Sequence, residues 1–127
     1  MAFISHWLKP GVMHVRWVVD TNLESVRESI ASHDRLINEH GGPYRTLHES
    51  PDGVPRLGAA ERRLIADWLE REERGNHAQC RGVAFATESA IVRGMITAVL
   101  WFGERHYPMR VFSTRREATS WLAELPG

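Results

Sequence analysis

Apolar and polar positions alternate in the first part of the chain with the period of two that is typical of β-strands. Two such stretches, residues 3–9 and 12–20, are separated by Pro10-Gly11, a pair that favours a turn. The inward positions of the second stretch are Met13, Val15, Trp17 and Val19, between Val12, His14, Arg16 and Val18. The pattern predicts an antiparallel hairpin with one well-buried face.

Helical spacing follows the hairpin. Thr21-Asn22-Leu23-Glu24 has the capping-box spacing and predicts the start of a first helix, which Gly41-Gly42-Pro43 ends. The predicted buried line of this helix is Leu23, Val26, Ile30, His33 and Ile37. Ala60, Leu64, Ile65, Trp68 and Leu69 give a second helix its apolar face before Gly75. A last helix begins after Thr114, where Glu117 repeats the capping-box spacing.

Three further apolar stretches read as strands, at residues 43–48, 80–86 and 109–112. The resulting order is β-β-α-β-α-β-α-β-α, with strand and helix alternating after the hairpin. Because right-handed crossovers join such strands in parallel, we predict an α/β fold with a mixed, mostly parallel five-stranded sheet and four helices. A length of 127 residues suits a single domain, 1–127.

The third helix, residues 90–102, is apolar around most of its circumference. Only Arg93 and Thr97 are polar there, and Ala90, Gly94 and Ala98 form a row of small residues. A chain of this size rarely covers such a helix completely, so we expect a homodimer through this helix, or failing that a protein partner of another kind. The predicted interface consists of Val92, Met95, Ile96, Val99, Trp101 and Phe102.

Composition narrows the classes of function. Sixteen acidic and sixteen basic residues balance, which disfavours binding to nucleic acid. Cys80 is the only cysteine and lies in an apolar stretch, as is common in a reducing compartment. The first residues lack a basic leader, and the longest apolar run is too short for membrane insertion. We therefore expect a cytoplasmic protein.

Residues with chemical potential collect where the predicted parallel strands end. Asp20, His48 and either Ser50 or Ser89 could be assembled into a hydrolytic triad, but no G-x-S-x-G motif is present, and capping roles for the serines are favoured. Ser89 and Arg93, at the start of the third helix, are candidates for anion binding. Of the seven histidines only His6 and His14, on paired strands, are expected to approach each other, so we predict no metal site and no cofactor.

The order of elements, the block ATESAIVRGMITAVLWFG and the closing YPMRVFSTRREATSWLAEL resemble the small bacterial SpoIIAA-like, or STAS-like, domains. This resemblance implies a regulatory protein-interaction module without catalysis. It also implies a more distant relation to SEC14-type domains, and with it the alternative of a small apolar-ligand or lipid-binding protein. In the best-known relatives a serine after a central strand is phosphorylated. Ser50 occupies the corresponding turn here, in a longer loop and with a different order of residues.

Overall fold

The computed structural model describes residues 1–75, 79–101 and 107–126, without the side chains of residues 69–70, 72–75, 95–96 and 98–101. Its strands are β1 (Phe3–Lys9), β2 (Val12–Trp17), β3 (Tyr44–Glu49), β4 (Cys80–Ala86) and β5 (Met109–Phe112). Its helices are α1 (Leu23–His40), α2 (Ala59–Gly75), α3 (Ala90–Trp101) and α4 (Arg115–Glu124). The predicted order of elements is confirmed.

All strands belong to one sheet with the spatial order β1-β2-β3-β4-β5. β1 pairs antiparallel with β2 through the Pro10-Gly11 turn, and every later pair is parallel. Gly11 has a φ of 80°, a left-handed conformation that glycine adopts without steric cost. The predicted α/β architecture, a mostly parallel sheet with an antiparallel edge, is therefore confirmed.

The two faces of the sheet carry two hydrophobic cores. The larger core joins Phe3, Met13 and Val15 of the hairpin to Val26 and Ile30 of α1 and to Trp68 of α2. The smaller core lies on the opposite face, where Leu47 and Ala84 pack against Ala118 and Leu122 of α4. Because successive strand residues point to opposite faces, one face carries His14, Leu47 and Glu49 together with α4, and the other carries Trp17 and His48.

Polar residues of α1 are also buried against the hairpin. His33 is 5% exposed, and its Nδ1 lies 2.8 Å from the hydroxyl of Ser5. The backbone amide of Phe3 donates to the hydroxyl of Ser29, over 3.1 Å. The prediction that His33 is a hydrogen-bonded core histidine is confirmed.

The start of α1 differs from the prediction by one residue. Asn22, and not Thr21, is the N-cap, because its side-chain oxygen accepts from the amide of Ser25 over 2.9 Å. The hydroxyl of Thr21 lies 3.4 Å from the carbonyl oxygen of Asn22, to which it donates. At the other end Gly41 closes the helix with a φ of 66°, as predicted, and Thr114 caps α4, as predicted.

The third helix lies at the edge of the sheet. Among the elements described, α3 packs against β5, the last strand, while α4 covers β3, β4 and β5 from the opposite face. The side chains of Ala90, Ile91 and Thr97 are exposed. Within the described ranges, none of the helices combines the length and the hydropathy that a bilayer-spanning segment needs.

Candidate functional site

The parallel strands place their carboxyl ends along one edge of the sheet. β2 ends at Trp17, β3 at Glu49, β4 at Ala86 and β5 at Phe112. This is the edge at which open parallel sheets commonly bind ligands. Two clusters of polar and aromatic side chains lie there, one on each face of the sheet.

Glu49 is the centre of the cluster on the face that carries α4. Its Oε1 accepts from Nε of Arg115 over 2.6 Å and lies 2.7 Å from Nε2 of His14. The carboxylate side chain is 15% exposed, and the guanidinium side chain is 53% exposed. One carboxylate therefore joins β3, β2 and the first residue of α4.

His14 is neutral in this cluster. Its side chain is 4% exposed, and burial lowers its pKa more than the hydrogen bond to Glu49 and the charge of Glu49 raise it. The charge of Arg115 lowers the pKa further. Because the carboxylate of Glu49 accepts only, Nε2 of His14 carries the proton. Nδ1 is then a bare acceptor, and it is buried without a hydrogen-bond partner among the described residues.

On the opposite face His48 is held by an aromatic neighbour. The indole Nε1–H of Trp17 donates to Nδ1 of His48 over 3.0 Å. The His48 ring stacks on Phe85, with centroids 5.1 Å apart and an interplanar angle of 23°. Burial lowers the pKa of His48 to about 3, with smaller contributions from the positive charges that His33 and His14 would carry.

This geometry disfavours the hydrolytic triad considered from the sequence. In such a triad an aspartate holds Nδ1 of the histidine. Here Nδ1 of His48 accepts from Trp17, and Asp20 lies 3.6 Å from Arg56 in an exposed ion pair. The described side chains therefore do not bring Asp20 and His48 together.

Ser50 lies directly after β3, at the predicted edge. It is half-buried, and its carbonyl oxygen accepts from the amide of Gly53 in a turn. α2 begins only at Ala59. Ser50 thus does not open a helix, unlike the modified serine of the domains that the sequence resembles, and its modification stays a prediction.

Ser89 and Arg93 use their polar groups within the chain. The hydroxyl of Ser89 accepts from the amide of Val92 over 3.2 Å, which caps the start of α3. Nη1 of Arg93 donates to the carbonyl oxygen of Thr87 over 2.8 Å. The capping role of Ser89 is confirmed, and anion binding by this pair stays a prediction.

The predicted interface falls mostly outside the described side chains. Val92 is half-buried. The side chains of Met95, Ile96, Val99 and Trp101, and Phe102 altogether, lie outside the described residues. Ile91, which was not in the predicted set, is 79% exposed.

His6 and His14 approach each other as predicted, with ring centroids 4.8 Å apart. Within the described part of the chain, no three histidine, cysteine or acidic side chains are grouped closely enough to hold a metal ion. The sequence predicted neither the Glu49–Arg115 contact nor the Trp17–His48 hydrogen bond. The only sequence signal for both was the placement of these residues at strand ends and at a helix start.

Comparison with known proteins supports the architecture. No family model matches the sequence, and no curated protein matches it. A solved structure of an uncharacterised DUF3478-family protein from Shewanella loihica PV-4, described as SpoIIAA-like in fold, matches with a TM-score of 0.67 and 14% identity. The match covers 95% of this chain and 92% of that chain. An identity this low bears on the fold alone, and on that basis the chain adopts the SpoIIAA-like, or STAS-like, α/β fold.

Proposed function

We propose that the protein is a non-catalytic, regulatory protein-interaction module that forms a homodimer through the helix at residues 90–102. The observation that carries this proposal is the exposure of α3. Ile91 is 79% exposed, although α3 contains only two polar residues, Arg93 and Thr97. An apolar helix surface that faces water is typical of a site of protein contact.

The shape of the helix supports a second copy as the partner. Ala90 and Gly94 lie one turn apart, and both are exposed. A Cβ atom added to Gly94 would meet no atom within 4 Å, so the space beside this glycine is open. Small residues at this spacing let two helix backbones approach closely, as in a symmetric pair in which each helix presents the same face to the other.

A role without catalysis agrees with the clusters at the carboxyl edge. Glu49 is engaged by Arg115 and His14, and Nδ1 of His48 is engaged by Trp17. Neither arrangement offers a nucleophile hydrogen-bonded to a base, which covalent hydrolysis requires. The fold shared with the DUF3478 protein supports an interaction module but does not name a partner.

Sedimentation equilibrium of the full chain tests the dimer. At about 100 µM, a concentration at which micromolar dimers are populated, the wild type is expected at twice the chain mass of 14.5 kDa. Ile91→Asp places a charge in the interface and should give the mass of a single chain. Gly94→Leu should act in the same direction, because a larger side chain separates the two backbones.

Ile4→Asp is the matched control, since Ile4 is also an exposed isoleucine, 45% accessible, but lies on β1. This variant should keep the wild-type mass, and far-ultraviolet circular dichroism should show all variants folded. A wild type that sediments as a single chain would refute the homodimer. So would a folded Ile91→Asp variant with unchanged mass, or loss of the dimer in Ile4→Asp alone.

A further inference from the structure

Three aromatic rings lie side by side at the carboxyl edge of the sheet, on the face that carries α1. The centroids of Trp17 and His48 are 6.2 Å apart, and those of His48 and Phe85 are 5.1 Å apart. All three rings are half-buried. Two positions earlier on the same strands and the same face, Val15, Thr46 and Val83 are buried. This face is therefore closed in the middle of the sheet and partly open at its carboxyl edge.

The helices leave the central strands of this face less covered than the outer ones. α1 packs against β1, α2 packs against α1, and α3, which a right-handed crossover places on the same face, packs against β5. Among the described residues, no helix backbone on this face packs closely against β3 or β4. The rings of His48 and Phe85 stand on these two strands, so they form a platform between α2 and α3.

The platform carries one hydrogen-bond donor of fixed identity. The Trp17 indole can only donate, so Nδ1 of His48 must accept and Nε2 must carry the proton of the neutral ring. Within the described residues nothing accepts from this Nε2–H, and the atom is not among the buried polar atoms that lack a partner, so it reaches solvent. Burial holds the pKa of His48 at about 3, which keeps the ring neutral near pH 7.

We propose that this platform binds a small molecule whose apolar body lies on the three rings and whose oxygen accepts a hydrogen bond from Nε2–H of His48. Apolar walls with one well-placed polar group are typical of small-molecule sites, and stacking on aromatic rings favours flat or extended bodies. Because the rings are half-buried, a small molecule reaches them, whereas a flat protein surface does not. This site is independent of the proposed dimer through α3.

Nuclear magnetic resonance of the full chain labelled with ¹⁵N in histidine and tryptophan tests the proposal. The probes are 2-naphthoate, which has a flat body, and decanoate, which has a linear one. At least one of them should shift the His48 Nε2–H and Trp17 Nε1–H signals saturably, and the comparison shows which body fits. The matched amines, 2-naphthylmethylammonium and decylammonium, have no acceptor and should bind about fivefold more weakly or worse.

His48→Phe keeps a ring on Phe85 but removes the donor. This variant should bind the preferred acid about fivefold more weakly than the wild type, with unchanged affinity for the matched amine. His40→Phe, at an exposed histidine that stacks on Trp7, is the control and should behave as the wild type. Should His48→Phe fail to fold, the wild-type comparison of acid with amine decides. No saturable shift with either acid, equal affinity for acid and amine, or wild-type affinity in a folded His48→Phe variant would overturn the proposal.

Discussion

At the scale of single residues, Glu49 shows how one side chain connects elements that are far apart in sequence. Its carboxylate lies between Arg115, at the start of α4, and His14, on β2. The side chain is 15% exposed, so water screens these contacts weakly. Arg16 and Asp52 form a pair of similar length, 2.8 Å, but their side chains are 46% and 59% exposed. The two pairs therefore differ in environment more than in geometry.

Glu49→Gln tests this difference. The substitution removes the negative charge but keeps the size, so Arg115 and His14 lose a charge-assisted partner, and we expect the free energy of unfolding to fall by roughly 1–3 kcal/mol. Asp52→Asn makes the same chemical change in the exposed pair and should cost at most about 0.5 kcal/mol. Urea denaturation of both variants at pH 7 measures these values. Equal losses in the two variants would show that burial of Glu49 does not strengthen its contacts.

Residue periodicity predicted buried positions better than specific contacts. His33 was predicted to be buried because it lies on the apolar line of α1, and the structure places it 5% exposed beside Ser5. Glu49 ends a strand, and its partner Arg115 lies 66 positions later in the chain. No local spacing connects two such residues, since their contact exists only once β3 and α4 have been placed by the sheet.

At the scale of elements, the start of α1 separates a sequence motif from its realised geometry. Thr21 and Glu24 have the capping-box spacing, but Asn22 accepts from the amide of Ser25 and opens the helix. Both Thr and Asn are good N-cap residues, with Asn somewhat preferred. Two capping residues in succession therefore predict a helix start without fixing which of the two is the cap.

Alanine substitutions distinguish the two caps. Asn22→Ala leaves the amide of Ser25 without its side-chain acceptor, and we expect the free energy of unfolding to fall by about 1 kcal/mol. Thr21→Ala removes only a 3.4 Å contact with the carbonyl oxygen of Asn22 and should cost less than about 0.5 kcal/mol. Thermal or urea denaturation of the two variants measures the difference. A larger loss in Thr21→Ala would restore Thr21 as the cap.

At the scale of the whole molecule, the order of elements carried the fold. Alternation of strand and helix after a hairpin restricts the sheet to few topologies, because crossovers are right-handed and short. The parallel order β2-β3-β4-β5 follows from that rule, and a protein of 14% identity shares the architecture. The same order placed Trp17, His48 and Phe85 near one edge but did not give their ring geometry, which depends on side-chain packing across three strands.

Buried histidines make the stability of the whole molecule depend on pH. Burial lowers the pKa of His33 to about 4 and that of His48 to about 3, from the ordinary value of 6.5. Both groups bind protons more readily in the unfolded chain, so their contribution to stability is complete above about pH 6.5 and is lost as the pH falls towards the folded values. Between pH 7 and pH 5, His33 alone should lower the free energy of unfolding by up to roughly 2 kcal/mol, and His48 acts in the same direction.

Urea denaturation at intervals from pH 7.5 to pH 5 measures this dependence above the range in which most carboxylates titrate. The wild type should lose stability steadily below pH 6.5. His33→Gln cannot be protonated, so its profile should be flatter than that of the wild type by the uptake of about one proton on unfolding, even if the variant is less stable at pH 7. A wild-type stability that stays constant down to pH 5 would contradict the burial of neutral histidines. An unchanged slope in His33→Gln would assign the dependence to other groups.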